Sequence, residues 1–504
     1  MWWERGVVYE IYPRSFQDTD GDGVGDLRGV ADRLPYLARL GVDAIWLTPF
    51  FASPMRDFGY DITDHCAVDP SFGTIGDFDA LVAAAHEHGL KVVLDFVPNH
   101  TSDLHPWFVE SRSSRESPKR DWYLWHDGNP PNNWIAVFGG RAWEWDAATG
   151  QSYYHAYLPE QPDLNWRNPE VREAMLAVLR FWKARGVDGF RVDAMRQVLK
   201  DLSLRDNPPA PGYEGPADRY ASLIPEFTTD LDEVQEVVAA IRAEIGDAHL
   251  FMAEVTAPIE RLVRYYGAAG EGAHLPFNFH LLWVDWRPEG VADLVERYEA
   301  ALPEDAWPNW VLGNHDQPRV ASRVGAGQAR VAAMLLLTLR GTPTLYYGDE
   351  LGMVDVEVPP ARVVDPDGRD PERSPMPWTG SPGRGFCADG VKPWLPFGDA
   401  ALNEEAQEAD PRSMLGLHRR LLALRRSSAD LLEGAYETVS ADGGVLVYRR
   451  GQGTLVALNL TSEQAVAPVS GTVVMTTELD GREGEVAAGS LALRPGEGAI
   501  TAAG

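Results

Sequence analysis

Eight short apolar runs, each followed by a stretch with helical spacing, set the strongest limit on how this 504-residue chain folds. They begin at Val7 (VVYEIYP), Ala44 (AIWLTP), Lys91 (KVVLDFVP), Gly189 (GFRVDA), Leu250 (LFMAEV), Leu275 (LPFNF), Trp310 (WVLGNHD) and Thr342 (TPTLYYGDE). Runs this apolar lack the polar alternation of a half-exposed strand and read as parallel strands buried on both faces. The stretches between them, such as DFDALVAAAHEHG from Asp77 and EVREAMLAVLRFWKARG from Glu170, are amphipathic. Each ends in Gly, the residue a helix C-cap favours. Eight β-then-α units predict an α/β fold closed as a (β/α)8 TIM barrel.

Two intervals interrupt this rhythm. Residues 104–160 are rich in Trp, Tyr, Pro, Asn and Gly without helical period, and predict a small domain inserted after the third strand. Residues 350–397, rich in Pro and Gly, form a long loop after the eighth. Both follow strand C-termini, the face on which barrels build their sites, and loops of such length commonly wall a site. The barrel domain then comprises residues 1–103 and 161–430. In 431–504, GGVLVYRRG, TLVALNLT and TVVMTTEL are separated by Gly and predict a C-terminal antiparallel β-sandwich.

Composition narrows the partners. A net charge of −30 and a pI near 4.7 leave no basic stripe for phosphate backbones, which excludes nucleic acid. The most apolar stretch, VAAMLLLTL from Val331, is too short to cross a bilayer, so no membrane partner is expected. The opening MWWERGVVYEIYP lacks the basic-then-apolar pattern of an export signal, and Cys66 and Cys387 lie far apart. Together these features lead to the expectation of a cytoplasmic protein, a monomer or small homo-oligomer. The N-x-T patterns at Asn99 and Asn459 are accordingly read as accidental.

The chemistry is signalled by acids at strand ends. DFVPNH (95–100), GFRVDAM (189–195), FMAEV (251–255) and GNHDQ (313–317) close the third, fourth, fifth and seventh strands. Each places an Asp or Glu where a barrel points its ligands. Carboxylates gathered there suit glycoside hydrolysis, in which one attacks the anomeric carbon and another protonates the leaving oxygen. Arg191 lies two residues before Asp193, on the same side of the strand, and its cation favours an ionised Asp193. His100 and His315 fall on different strands without metal partners nearby, so hydrogen bonding explains them better than a metal site does.

In this order the segments resemble the fingerprints of the α-amylase family of glycoside hydrolases (family 13). GVDAIWLTP (41–49), QPDLN (161–165) and GTPTLYYGDE (341–350) extend the likeness over essentially the whole chain, and QPDLN is similar to the marker of the family's oligo-1,6-glucosidase branch. The resemblance implies that Asp193 is the nucleophile, Glu254 the general acid/base and Asp316 the stabiliser of the distorted sugar. It implies that Tyr60, Asp61, His100, Arg191 and His315 contact the first glucose. Arg373 would pair with the Tyr-Asp motif and block the pocket, confining the enzyme to chain ends. Ala194, where Val accompanies α-1,6 specificity, favours α-1,4 bonds. The implied activity is that of a retaining, exo-acting α-glucosidase on short α-glucosides such as maltose, with sucrose also in reach. The alternatives are a transglucosylase or disaccharide isomerase of the trehalose synthase or sucrose isomerase type and, more distantly, a non-catalytic binding subunit.

A separate signal is DTDGDGVGD (18–26). Asp18, Asp20, Asp22 and Asp26, with the Val24 carbonyl, have the alternating oxygen spacing of a calcium loop, and Gly23 sits at its turn. The twelfth position is Gly29 rather than Glu, so a static structural ion is expected rather than a switch. Calcium is the expected ion, magnesium the alternative that the resemblance admits, and no organic cofactor is expected.

Overall fold

A computed structural model describes residues 1–502. All eight predicted strands are present: β1 (Val8–Ile11), β2 (Ala44–Leu47), β3 (Lys91–Phe96), β4 (Gly189–Val192), β5 (Leu250–Ala253), β6 (Leu275–Pro276), β7 (Asn309–Val311) and β8 (Thr342–Tyr346). They pair in parallel in the order β6-β5-β4-β3-β2-β1-β8-β7. Helices such as Ile75–Glu87 and Pro169–Lys183 connect them on the outside. The first is started by a Thr74/Asp77 capping box, the second by Asn168 followed by Pro169. Both devices satisfy amide groups that a helix N-terminus leaves free.

Strand alternation decides what enters the barrel. On β1, Tyr9 and Ile11 pack outward in the main core, while Val8 belongs to a separate interior cluster with Ala44, Trp46, Val93, Leu250, Met252 and Val311. Trp3 plugs the bottom of that cluster. One step further along the same inward rows come Glu10, Asp95 and Arg191, in register with one another's neighbours (Glu10 with Trp46, Asp95 with Arg191). The interior is therefore apolar at the base and charged at the C-terminal rim. Gly189 serves the narrow base: a Cβ there would lie 2.6 Å from that of Leu250.

No ladder joins β6 to β7. The Asn309 side chain closes this seam, its Oδ1 accepting from the Asn278 amide at 3.0 Å and its Nδ2 donating to the Pro276 carbonyl.

The insertion after β3 contains more regular structure than its sequence predicts. It holds a helix, Pro106–Ser113, and a three-stranded antiparallel sheet of Trp125–Asp127, Gln151–Tyr154 and Trp143–Asp146. Aromatic clustering hides the period, because Trp125, Trp143, Tyr153 and Tyr154 pack on both faces of a small sheet. The C-terminal unit is a six-stranded antiparallel sheet beginning at Tyr436, faced by a two-stranded sheet of Ala465–Ala467 and Leu491–Leu493. Helix Ala429–Glu433 straddles the expected boundary at 430/431. Alternate residues of the large sheet face the barrel (Leu446, Tyr448, Val456, Leu458) or the small sheet (Val445, Val447, Ala457, Val473). Cys66 and Cys387 are free thiols, Asn99 and Asn459 are fully buried, and no described helix is long and apolar enough to cross a membrane.

Because Asn309 holds two buried backbone groups across the seam, Asn309→Ala should destabilise the barrel by about 1–3 kcal/mol for each group left unpaired. Calorimetry that found an unchanged Tm would remove the side chain's role in closing the ring.

Candidate active site

The rim is organised around the Arg191 guanidinium, which is 1% exposed. Its Nη1 donates to Asp95 Oδ1 and Oδ2 at 2.8 and 3.0 Å and to Asp193 Oδ1 at 2.8 Å, while Nη2 lies 2.8 Å from Glu254 Oε2. One planar cation thus holds carboxylates from the ends of β3, β4 and β5. Burial pushes the Asp193 carboxyl up; Arg191 opposes the rise, and the charges of Glu254 and Asp95 add to it. Ala194, between the two acids, adopts the left-handed conformation (φ 46°, ψ 34°), and its amide donates to Glu254 Oε2 at 2.8 Å. Only Gly takes this backbone freely, so local strain accompanies the grip on Glu254.

Asp316, at the end of β7, closes the other side. Its Oδ1 accepts from Arg369 Nη1 at 3.0 Å and Arg373 Nη2 at 2.9 Å, and His315 Nε2 is 3.4 Å from Oδ2. Burial opposes ionisation here, but His315, Arg369 and Arg373 outweigh it and hold the carboxyl well below the ordinary range. Burial also lowers His315 and His100, each to about 3, so both rings are neutral.

The structure corrects two sequence expectations. Asp61 does not reach the cleft: it is fully buried and accepts from Ser53 Oγ and from the amides of Arg56 and Asp57, so it shapes the loop. Asp57, three residues before Tyr60, lines the cleft instead. Arg373 does not pair with this loop either. It is buried behind Asp316, donating also to the His315 carbonyl at 2.7 Å, whereas Arg369 reaches across to Asp57 Oδ1 at 2.6 Å. The two arginines are four residues apart, and of the two only the earlier one lines the cleft. Gln161 of the QPDLN segment sits behind, bonding Asp57 Oδ2 at 2.9 Å and His100 at 3.1 Å.

The resulting cleft has a volume of about 270 Å³. Asp57, Tyr60, His100, Asp193, Glu254, Asp316 and Arg369 form its inner part, and Arg191 and His315 lie just behind. Its mouth is lined by Phe138 of the insertion, by Arg196, Gln197 and Tyr220 after β4, and by Phe279 and Trp283 after β6.

This constellation coincides with a match over residues 10–434 to the family model described as alpha amylase, catalytic domain. The chain belongs to the α-amylase family of glycoside hydrolases. It is 42% identical to the probable alpha-glucosidase of Rhizobium meliloti (strain 1021), over 92% of this chain and 90% of that one. It is 38% identical to the trehalose-6-phosphate hydrolase of Escherichia coli (strain K12), over 92% and 91%. The alpha-glucosyl transfer enzyme XgtA superposes with a TM-score of 0.93 at 39% identity, covering all of this chain and 99% of that one.

In this glycoside hydrolase the 18–26 loop brings Asp18, Asp20 and Asp22 together, with carboxylate oxygens within 4.8 Å of one another. Asp26 is turned elsewhere: it caps the following helix through the Gly29 amide at 2.7 Å and accepts from Thr19. Helix capping and ion binding draw on the same carboxylate, and spacing alone does not rank them.

The cleft and rim residues that the sequence does not single out are Asp57, Arg369 and Asp95. Asp95 had a strand-end motif to mark it. Asp57 and Arg369 differ from Asp61 and Arg373 only in where their loops turn. If the Asp57–Arg369 pair bounds the inner subsite, Arg369→Ala should lower kcat/KM for a short α-glucoside by about 10–100-fold, the loss for a charged hydrogen bond. Asp61→Asn should act mainly on Tm. Steady-state kinetics and melting curves on both variants check the assignment, and a reversed pattern would restore Asp61.

Proposed function

We propose that the protein is a retaining α-glucosidase that removes single glucose units from short α-glucosides, with α-1,4 bonds preferred. The observation that carries this reading is the closed inner end of the cleft. Arg369 bridges Asp57 and Asp316, and this bridge supports a pocket that takes a single sugar beyond the acids.

In the first half-reaction Asp193 attacks the anomeric carbon while Glu254 protonates the leaving oxygen. Arg191 and the Ala194 amide both hold Glu254 Oε2, so Oε1 is the oxygen left to carry that proton. Sharing one guanidinium keeps Asp193 and Glu254 near neighbours, which supports retention (carboxyls about 5–5.5 Å apart) over the wider gap that admits a water. Asp316, held as an anion, receives sugar hydroxyls and favours the oxocarbenium-like state. Water activated by Glu254 then releases glucose from Asp193. Buried Ala194 adds little bulk beside Glu254, which supports the α-1,4 preference; a pocket difference of one or two methyl groups is worth only about 1–3 kcal/mol.

Incubation with maltose, isomaltose, sucrose and trehalose, with every product identified, tests this reading. Glucose should be the first product from maltose, and kcat/KM for maltose should exceed that for isomaltose by about tenfold. Asp193→Asn should abolish turnover. Disaccharide isomers or longer oligosaccharides as the main products would establish transfer in place of hydrolysis.

A structural divalent cation, calcium or magnesium, is proposed for the 18–26 loop. Partial desolvation pushes the Asp22 carboxyl up against the Val24 amide, and Asp20 and Asp18 add to the rise, a repulsion that a cation relieves. Asp18, Asp20 and Asp22 would hold it, with the Val24 carbonyl. Its chemistry would be that of a staple: the Gly23 carbonyl accepts from Trp394 at 2.9 Å, tying the loop to the segment after β8. Gly23 is required there, since its φ is +89° and a Cβ would lie 2.2 Å from the Lys392 carbonyl. Chelation should lower Tm, and added calcium should restore it with kcat little changed. An unaltered Tm together with no metal in the purified protein would discard the ion.

A further inference from the structure

Directly beneath the glucose pocket lies a carboxyl that the mechanism above does not use. Glu10 of β1 is fully buried, and its Oε1 is 2.5 Å from His315 Nδ1 and 3.3 Å from the His315 amide. Its Oε2 has no hydrogen-bond partner. On the other edge of the same ring, His315 Nε2 lies 2.7 Å from Tyr60 Oη and 3.4 Å from Asp316 Oδ2, both of them walls of the cleft. The Tyr60 and His315 rings stack with 9° between their planes.

The direction of each hydrogen bond in this chain is fixed from its far end. Asp95 receives two contacts from Arg191 and one from the Trp46 indole at 3.3 Å, and burial raises it only to about 6, so it is an anion at neutral pH. An anion cannot donate, so the 3.0 Å contact with Tyr60 Oη is a bond that Tyr60 donates. Tyr60 Oη is then left as an acceptor, and the 2.7 Å contact requires a proton on His315 Nε2. A neutral imidazole with Nε2 protonated has a bare Nδ1, which accepts. The proton in the Nδ1–Glu10 bond must therefore belong to Glu10.

We propose that Glu10 is a positioning residue: it stays protonated, donates to His315 Nδ1, and so fixes the tautomer whose Nε2–H holds the Tyr60 hydroxyl in the wall of the cleft. The surroundings agree. The charged and titratable groups facing Glu10 are Arg191, Asp316, His315, Asp95 and Tyr346, from β4, the segment after β7, β3 and β8. Arg191 is the only permanent cation among them, and it is engaged by three other carboxylates. Burial pushes Glu10 well up, Arg191 opposes the rise, and Asp316 and Asp95 add to it. A buried oxygen with no donor is tolerable as a neutral carbonyl and costly as an anion. The catalytic carboxylates thereby have a neutral neighbour below them, and the ring gains the donor that orients Tyr60.

The proposal rests on the cleft being a glucose site, but its first test does not. In the enzyme labelled with 15N-histidine, the His315 signals, among 12 histidines, are identified by their absence from the His315→Asn spectrum. The expected pattern is a protonated Nε2 and an unprotonated Nδ1, retained in Glu10→Gln, whose amide can donate in the same way. A proton on Nδ1 would overturn the proposal whatever the substrate. The second test is kinetic: with 4-nitrophenyl α-glucoside, Glu10→Met should lose about 10–100-fold in kcat/KM, and Glu10→Gln should recover most of that loss. Equal impairment of the two variants would also reject a donor role. Failure to cleave any α-glucoside would reject the functional reading and leave the tautomer result standing.

Discussion

Everything at the rim depends on one buried cation. Arg191 is nearly inaccessible yet touches Asp95, Asp193 and Glu254, three carboxylates from three strands. A charge taken out of water is stable only if it is paired and hydrogen-bonded, and breaking such a pair leaves an uncompensated charge that costs about 3–5 kcal/mol. The consequence is geometric. The strands bring the acids to the same height, and the guanidinium plane sets their spacing. The proposed mechanism divides Asp193 and Glu254 into nucleophile and acid, and that division is drawn within a single hydrogen-bonded cluster.

A second layer of charge stands opposite. Arg369 and Arg373, from the loop after β8, hold Asp316 on one side and Asp365 on the other, and Arg369 alone reaches the loop after β2. Parts of the chain remote in sequence therefore complete one end of the cleft. The insertion after β3 supplies the Phe138 wall. The inner part of the cleft is built largely from charged side chains. The mouth pairs an aromatic side (Phe279 and Trp283) with a polar one (Arg196, Gln197 and Tyr220), where the second partner, water or sugar, arrives.

Most of the barrel was legible because hydrophobic periodicity reports burial directly: each strand predicted as an apolar run is a buried strand. Glu254, Asp193 and Asp316 were legible because they terminate those runs. Asp57 and Arg369 were not. Asp61 and Arg373 offer the same chemistry within four residues, and only the turn of the loop decides which side chain faces the cleft. Glu10 was hidden for another reason. It sits inside an apolar run, VVYEIYP, where a single acid gives no pattern, and its meaning comes from His315, some 300 residues away. The strands of the insertion were hidden because aromatic residues on both faces of its small sheet erase the alternation that marks a strand.

The seam between β6 and β7 has a consequence for motion. Elsewhere the ring is held by repeated backbone bonds, which must break together; here side chains do the holding, Asn309 at the strands and Arg323 between the Leu282 and Leu312 carbonyls just beyond them. Local opening follows the weakest cooperative unit, so hydrogen exchange should reach this junction before the β3–β4–β5 arc. The two sides of the seam carry different parts of the cleft: Phe279 and Trp283 follow β6, while His315 and Asp316 follow β7. Breathing at the seam would move Asp316 and the aromatic mouth relative to one another and leave Asp193 and Glu254 in the Arg191 cluster undisturbed.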